Sequence, residues 1–383
     1  MKNCTVIISH FNSGGSLLYL QQLADALKNK DCQVIFYLPK GTSINVNDQS
    51  FCRKILRDPS TCPVFLKDRF LKYLFHLSKY IYNALIIRPG RDVRIVHLLF
   101  PFYLTDLLMI NRFKRKGIKV VLTVHEIFPH KPFFGGKIDK RIVKRMYEGG
   151  DLLLVHTRML KDELVNLYSI SPDKIRVVHH GYFKLPPSPA KISVLKEKYN
   201  VPSNKKVLLF FGNIRENKGL DILLEAMKGL GEEYFLLITG QVAGAAELQA
   251  EYYEKIIKTE KVNDSLCWLQ RYISDEEAAE VFKIADAVIL PYKKWFYAQS
   301  GVLNLAAGYE KPCVASDVGG IGEMVKEYNL GVVVRPEDSE DLKQGIFSLF
   351  ENRQPFGFDR YKKEKNWDQV ADMLVKAYDG LMK

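Results

Sequence analysis

The chain has no uncharged apolar run of the roughly 18 residues that a membrane-crossing helix needs, so no helical span is expected. Paired cysteines are missing too: Cys4, Cys32, Cys52, Cys62, Cys267 and Cys313 stand singly. That scatter excludes the usual zinc-ligand spacings and reads as reduced cytosolic thiols, not a disulfide framework. No basic, apolar and small-residue order of a signal peptide precedes the first apolar run, Thr5 to Ser9, and a cytoplasmic protein is expected. Neither half has Gly-x-Gly-x-x-Gly after a strand, which argues against a pair of dinucleotide-binding domains. A convincing Asp-x-Asp pair is absent as well, and no zinc finger, basic zipper or RNA-binding aromatic signature appears. Nucleic acid is therefore not an expected partner.

What is present is a chain of 383 residues, 47% hydrophobic and 26% charged, which is enough for two folded domains. The net charge of +12 is unevenly spread. Residues 1–190 carry 30 Lys/Arg against 14 Asp/Glu, and residues 191–383 carry 26 against 30. A basic half points to an anionic substrate or an anionic membrane face. Lys67, Arg69, Lys72 and Lys79 interleave with Phe70, Leu71, Leu74, Phe75, Ile81 and Leu85, and Asn111 to Lys116 adds a second basic cluster. Such a helix can lie on an anionic membrane surface or pack on a sheet with its lysines solvated.

Short apolar runs alternate with helical patterns throughout, which predicts parallel strands joined by crossover helices. The expected strands are Thr5–Ser9, Val34–Leu38, Ile95–Leu99, Val120–Thr123, Leu152–Val155 and Ile175–Val178. After the stretch Leu185 to Ala190, with three prolines in four residues, come Val207–Phe211, Phe235–Thr239, Cys267–Leu269, Ala287–Leu290, Cys313–Ala315 and Val332–Val334. Three prolines so close cannot continue a helix or an internal strand, so a linker is expected there.

Residues 207–227 run from an apolar strand through a polar loop into a helix with Leu220, Leu223, Leu224 and Met227 on one face. Arg215 and Lys218 stand just before that helix, where free backbone N–H groups and the dipole favour phosphate. A solvated basic loop would have the same composition. Further on, Ser300-Gly301 lies at another helix start, where Gly admits a close approach and Ser either caps the helix or donates to a ligand. Two such loops in one domain fit a diphosphate.

These residues carry a family resemblance. The second half resembles the nucleotide-sugar domain of retaining GT-B glycosyltransferases, the glycogen-synthase-like family 4 group, in a branch with Gln-Ser-Gly. The match rests on Phe211-Gly212 through Asp221, Ile238-Thr239-Gly240, Ala285-Asp286-Ala287, Gln299-Ser300-Gly301, and Lys311-Pro312 through Gly320. The first half fits through Gly14-Gly15, Val124-His125-Glu126, Gly150-Asp151 and His179-His180-Gly181. The implied fold class is α/β, with two doubly wound Rossmann-like domains facing across a cleft. Residues 1–185 would form the acceptor-side domain, 186–190 the linker, 191–365 the nucleotide-sugar domain and 366–383 a terminal helix crossing back.

The resemblance implies transfer of a sugar from a nucleoside-diphosphate sugar to a glycan or lipid-linked hydroxyl, with retention, by a cytoplasmic enzyme placed peripherally on the inner membrane face. It gives catalytic roles to His125, Arg215 and Lys218. The donor diphosphate falls to Gly14, Gly15, Arg215, Lys218, Ser300 and Gly301, the donor sugar to His125 and Gln299, and the base to the loop at Tyr272 and Ile273. Cations fixed by the protein would make a metal unnecessary, and no cofactor is expected. Two departures stand out. Tyr297 and Leu305 replace the paired glutamates of many relatives, and Asn213 replaces a basic residue after the loop glycine. A nucleotide-sugar 2-epimerase on the same fold and a non-catalytic nucleotide-sugar-binding protein are the competing readings.

Overall fold

Strands buried on both faces build two parallel sheets, which is why they read as unbroken apolar runs. The computed structural model describes residues 4–11, 14–42, 52–58, 68–128, 134–242, 248–352 and 354–383. Contacts divide the chain into a first unit, Met1–Gly181 with Lys365–Lys383, and a second, Tyr182–Glu364. The proline-rich stretch lies a few residues into the second unit, where Lys283 Nζ donates to the Ser188 carbonyl at 2.8 Å.

The first unit contains β1 (Cys4–Ile8), β2 (Gln33–Pro39), β3 (Cys52–Leu56), β4 (Val93–Leu98), β5 (Lys119–Thr123), β6 (Leu152–Val155) and β7 (Ile175–Val177), in the sheet order β3-β2-β1-β4-β5-β6-β7. Its helices are α1 (Gly14–Leu27), α2 (Arg69–Ile86), α3 (Tyr103–Lys114), α4 (Gly136–Gly149) and α5 (Arg158–Tyr168). The second unit contains β8 (Lys206–Phe211), β9 (Tyr234–Thr239), β10 (Leu266–Leu269), β11 (Ala287–Leu290), β12 (Cys313–Ser316) and β13 (Gly331–Val334), ordered β10-β9-β8-β11-β12-β13. Its helices are α6 (Ile192–Lys198), α7 (Leu220–Met227), α8 (Ala250–Thr259), α9 (Asp275–Ile284), α10 (Gly301–Gly308), α11 (Gly319–Tyr328), α12 (Ser339–Glu351) and α13 (Phe358–Glu364). The last helix, α14 (Trp367–Met382), returns to the first unit and packs on α1.

Both sheets are doubly wound, with β1 and β8 each flanked by strands on either side. Two aspartates from the sequence motifs help hold them together. Asp151 accepts from the Val120 amide at 2.8 Å and Asp286 from the Val207 amide at 2.7 Å, while their own amides donate to those residues' carbonyls. Each therefore ties the start of its strand to its neighbour, a structural task. One strand was not expected from the sequence: β3, Cys-Arg-Lys-Ile-Leu, which among the described residues pairs only with β2.

Candidate functional site

In the second sheet the strand order reverses at β8 and β11, so the loops leaving their C-terminal ends part and leave room for a ligand. These loops are 212–219 and 291–300. Their backbones interlock. Gly219 adopts φ +68°, and a β-carbon there would stand 1.9 Å from the Pro291 carbonyl oxygen. At the end of β9, Gly240 adopts φ +130°, and its β-carbon would lie 2.2 Å from the Gly212 carbonyl oxygen. Only glycine fits where backbone meets backbone this closely.

Inside this frame sits the feature that defines the site. A β-carbon built on Gly212 would stand 3.3 Å from Lys218 Nζ and 3.8 Å from Val302 Cγ2, in the first turn of α10. The Lys218 ammonium is thus brought to the end of β8 and the beginning of α10. Burial, and then the neighbouring Arg215, lower its pKa to about 7. Among the described residues neither the Arg215 guanidinium nor the Lys218 ammonium has a hydrogen-bonded or ion-paired partner. The contrast with Lys293 is informative, since its ammonium pairs with Asp221 at 2.7 Å. Two adjacent unpaired cations, one of them desolvated, cost stability unless an anion compensates them.

Ser300 is buried, accepts from the Leu303 amide at 3.3 Å as the N-cap of α10, and shares a hydrogen bond of 3.1 Å with the Tyr292 hydroxyl. Its oxygen therefore caps the helix, and the Ser300-Gly301 segment offers a ligand backbone at a helix N-terminus, with the Ser300 O–H as a further donor when the Tyr292 hydroxyl donates to it. Gln299 Oε1 is buried and, among the described residues, has no hydrogen-bond partner. Tyr272 is exposed and Ile273 buried, in the loop after β10, two strands from β8. Of the departures from the family pattern, Tyr297 is exposed and Leu305 is buried. Among the described residues no group of three or more His, Cys, Asp and Glu is placed to hold a metal ion.

The remaining expected residues belong to the first unit. Gly14 and Gly15 open α1, both exposed, with nothing among the described residues within 4 Å of a β-carbon at either. His125, just beyond β5, has both ring nitrogens engaged, Nε2 with the Leu99 carbonyl at 3.1 Å and Nδ1 with His156 Nε2 at 3.1 Å. Its ring stacks on Phe100, with centroids 4.4 Å apart, and meets the edge of Tyr19. Burial and the surrounding histidines hold its pKa well below the ordinary range. Sequence reasoning did not foresee His156. The available signal was a second histidine directly after an apolar strand, Val155-His156, echoing Val124-His125.

Residues 191–372 match the family profile for glycosyl transferases group 1, and residues 13–182 match Glycosyltransferase Family 4. The alpha-maltose-1-phosphate synthase of Mycolicibacterium smegmatis is 23% identical over 68% of this chain and 73% of its own length. The D-inositol 3-phosphate glycosyltransferase of the same organism is 26% identical over 62% of this chain, which spans only 55% of that relative. In structure, Anabaena HepE in complex with UDP-glucose superposes with a TM-score of 0.75 at 14% identity, covering 98% of this chain and 99% of the other. The chain belongs to the glycosyltransferases, its first unit matching family 4 and its second matching group 1.

Proposed function

We propose that the protein transfers a sugar from a nucleoside-diphosphate sugar to a hydroxyl acceptor, with retention of configuration and without a divalent metal, in polysaccharide or glycolipid synthesis. The observation that carries this reading is the pair of side-chain cations Arg215 and Lys218, unpartnered among the described residues, with the Lys218 ammonium near the N-terminus of α10. When the bond between sugar and diphosphate breaks, negative charge grows on the departing oxygen. Cations already in place stabilise that charge more than the ground state. The base would lie over Tyr272 and Ile273, about 10 Å across the sheet at ordinary strand spacing. The orphaned Gln299 Oε1 would accept from a sugar hydroxyl, His125 would help place the sugar, and Gly14 and Gly15 would present backbone amides to phosphate. The UDP-glucose bound by HepE supports this choice of donor class.

The test is nucleoside-diphosphate release from a panel of UDP-, GDP- and ADP-sugars, with a chelator, with and without a total lipid extract. Acceptor-stimulated, chelator-resistant release from one donor is expected. Conversion of a donor into its epimer without acceptor would replace the transferase reading by the epimerase one. Tight binding without release under any condition would make the chain a binding protein.

A second observation concerns the acceptor side. On α2, Leu71, Leu74, Ile81 and Leu85 are all exposed at helical spacing, and Leu108 on α3 is exposed too. Exposed Lys72 and Arg88 flank them, and the Arg112 guanidinium, lowered in pKa first by burial and then by Arg88, donates to the Ile87 carbonyl at 2.6 Å. Not all of the expected basic face is solvated: Lys79 is buried and donates to the Asp58 carbonyl at 2.8 Å. Lys67 lies outside the described residues, as do the side chains of Arg69 and Phe70. No helix among the described residues is long and apolar enough to cross a membrane. We infer that this face rests on an anionic lipid surface. Binding to vesicles with anionic phosphatidylglycerol, absent with neutral phosphatidylcholine, is expected, and Leu74→Ser with Leu85→Ser should weaken it about tenfold or more. Equal binding to both vesicles, or to neither, would contradict it.

A further inference from the structure

All eight histidines of the chain lie within residues 10–180. His97 is in β4, and His125, His156 and His180 follow the C-terminal ends of β5, β6 and β7. Two hydrogen bonds in this group fix where protons must be. The Leu99 carbonyl is 3.1 Å from His125 Nε2, and the Val178 carbonyl is 2.9 Å from His156 Nδ1. A carbonyl oxygen has no proton to give, so both of those nitrogens carry one.

The two remaining nitrogens, His125 Nδ1 and His156 Nε2, face each other at 3.1 Å. Were both rings neutral, each would present a lone pair to the other. Three hydrogen bonds in series need three ring protons, and two neutral imidazoles hold two. The series closes only when the pair carries one additional proton and a single positive charge.

We infer that His125 and His156 form a dyad sharing one proton, and that His156 is a positioning residue that fixes the ring orientation of His125, whose tautomer the Leu99 carbonyl sets. Loss of the shared proton sets two lone pairs against each other and frees one ring to turn. The groups facing the dyad set how readily it gains that proton. Phe100, stacked on His125, offers a π face that favours a cation. Against it stand His97, bonded to Thr123 Oγ1 and the Tyr378 hydroxyl, and His180, bonded to the Gly181 carbonyl. Lys365, in contact with His179 Nδ1, adds a fixed charge of the same sign, and Tyr19 from α1 covers the rings. No carboxylate among the described residues bonds either ring. Burial lowers both members, His156 to about 4. The dyad is therefore charged at low pH and gives up its proton as pH rises, unless an anion nearby restores it.

The consequence for turnover rests on the role proposed for His125; the shared proton does not. The experiment is imidazole nitrogen NMR of the full chain carrying nitrogen-15 histidine, recorded across pH. His125 Nε2 and His156 Nδ1 should remain protonated throughout, and the two facing nitrogens should change together in one step of one proton. His156→Gln keeps an amide donor toward His125 Nδ1, so it should preserve the His125 tautomer while abolishing that step and the matching limb of the pH–kcat profile. His156→Phe removes the partner of Nδ1, so the His125 ring should lose its fixed orientation and its shared titration step while the Leu99 carbonyl still favours the proton on Nε2, with kcat lower by about tenfold or more. Independent titration of the two rings, or a His125 that titrates in His156→Phe as it does in the wild type, would overturn the dyad. Should the Phe variant fail to fold, the Gln variant and the wild-type titration still decide it. A joint one-proton step with no effect on turnover would retain the dyad and remove His125 from the transfer reaction.

Discussion

Replacing Lys218 by methionine is expected to cut nucleoside-diphosphate binding and turnover by about 100-fold or more, and at the same time to raise the melting temperature. The two effects have one cause. Lys218 has its pKa lowered from 10.5 to about 7 by burial and by Arg215. The unfolded chain therefore binds the proton more tightly than the folded one. The destabilisation is fully present below about pH 7, where both states are protonated, and fades as pH climbs toward the unfolded value of 10.5. Methionine keeps the stem and discards the charge, so its gain in stability should be largest at and below neutral pH and vanish in alkali. Thermal unfolding at several pH values, beside calorimetric binding, checks both halves. A less stable variant, or one that binds as the wild type does, would mean that the cation is structural.

Gly219→Ala is expected to be the more damaging substitution for the fold. Its φ of +68° costs a residue with a β-carbon about 1–2 kcal/mol. The greater effect is steric, because the new carbon would stand 1.9 Å from the Pro291 carbonyl oxygen, and that segment is held by the Lys293 amide on the Asn217 carbonyl at 2.9 Å. Neither side can yield alone, so the loops 212–219 and 291–300 must part. Lys218 then leaves the start of α10, and turnover should fall further than the lost stability alone would require. Urea unfolding of Gly219→Ala against Gly15→Ala gives the comparison, since a β-carbon at Gly15 meets nothing among the described residues within 4 Å. Equal stability of the two variants would refute this account of the loop.

The strands were legible because most are central and parallel, and their burial writes a continuous apolar run into the chain. Strand β3 was not, since its Arg53 and Lys54 look like loop residues until a neighbour is known. In the site, sequence placed Arg215 and Lys218 before a helix but could not show that they lack partners, because that depends on where every carboxylate goes. Asp221 is the instructive case: it stands three residues from Lys218 and pairs instead with Lys293, 72 positions away. Ser300 was readable as a cap or as a ligand residue, and the structure shows the cap, its oxygen accepting from the Leu303 amide beside the Tyr292 hydroxyl. Lys79 was readable as a cation on a helix face, while its anchor, the Asp58 carbonyl, lies in a separate segment. His156 became meaningful only once β5 and β6 were neighbours.

The central claim is that Arg215 and Lys218 hold the diphosphate of the donor, and proton linkage tests it most directly. Nucleoside diphosphates, UDP and GDP first, would be titrated into the protein by calorimetry in buffers of different ionisation heat, from about pH 6 to about pH 9. With Lys218 free at a pKa of about 7, binding should take up close to no proton at the acid end and about one at the alkaline end, with affinity falling about tenfold per unit above neutrality. Lys218→Met should abolish both the uptake and that slope. Binding that is tight, independent of pH and unchanged in the variant would contradict the assignment.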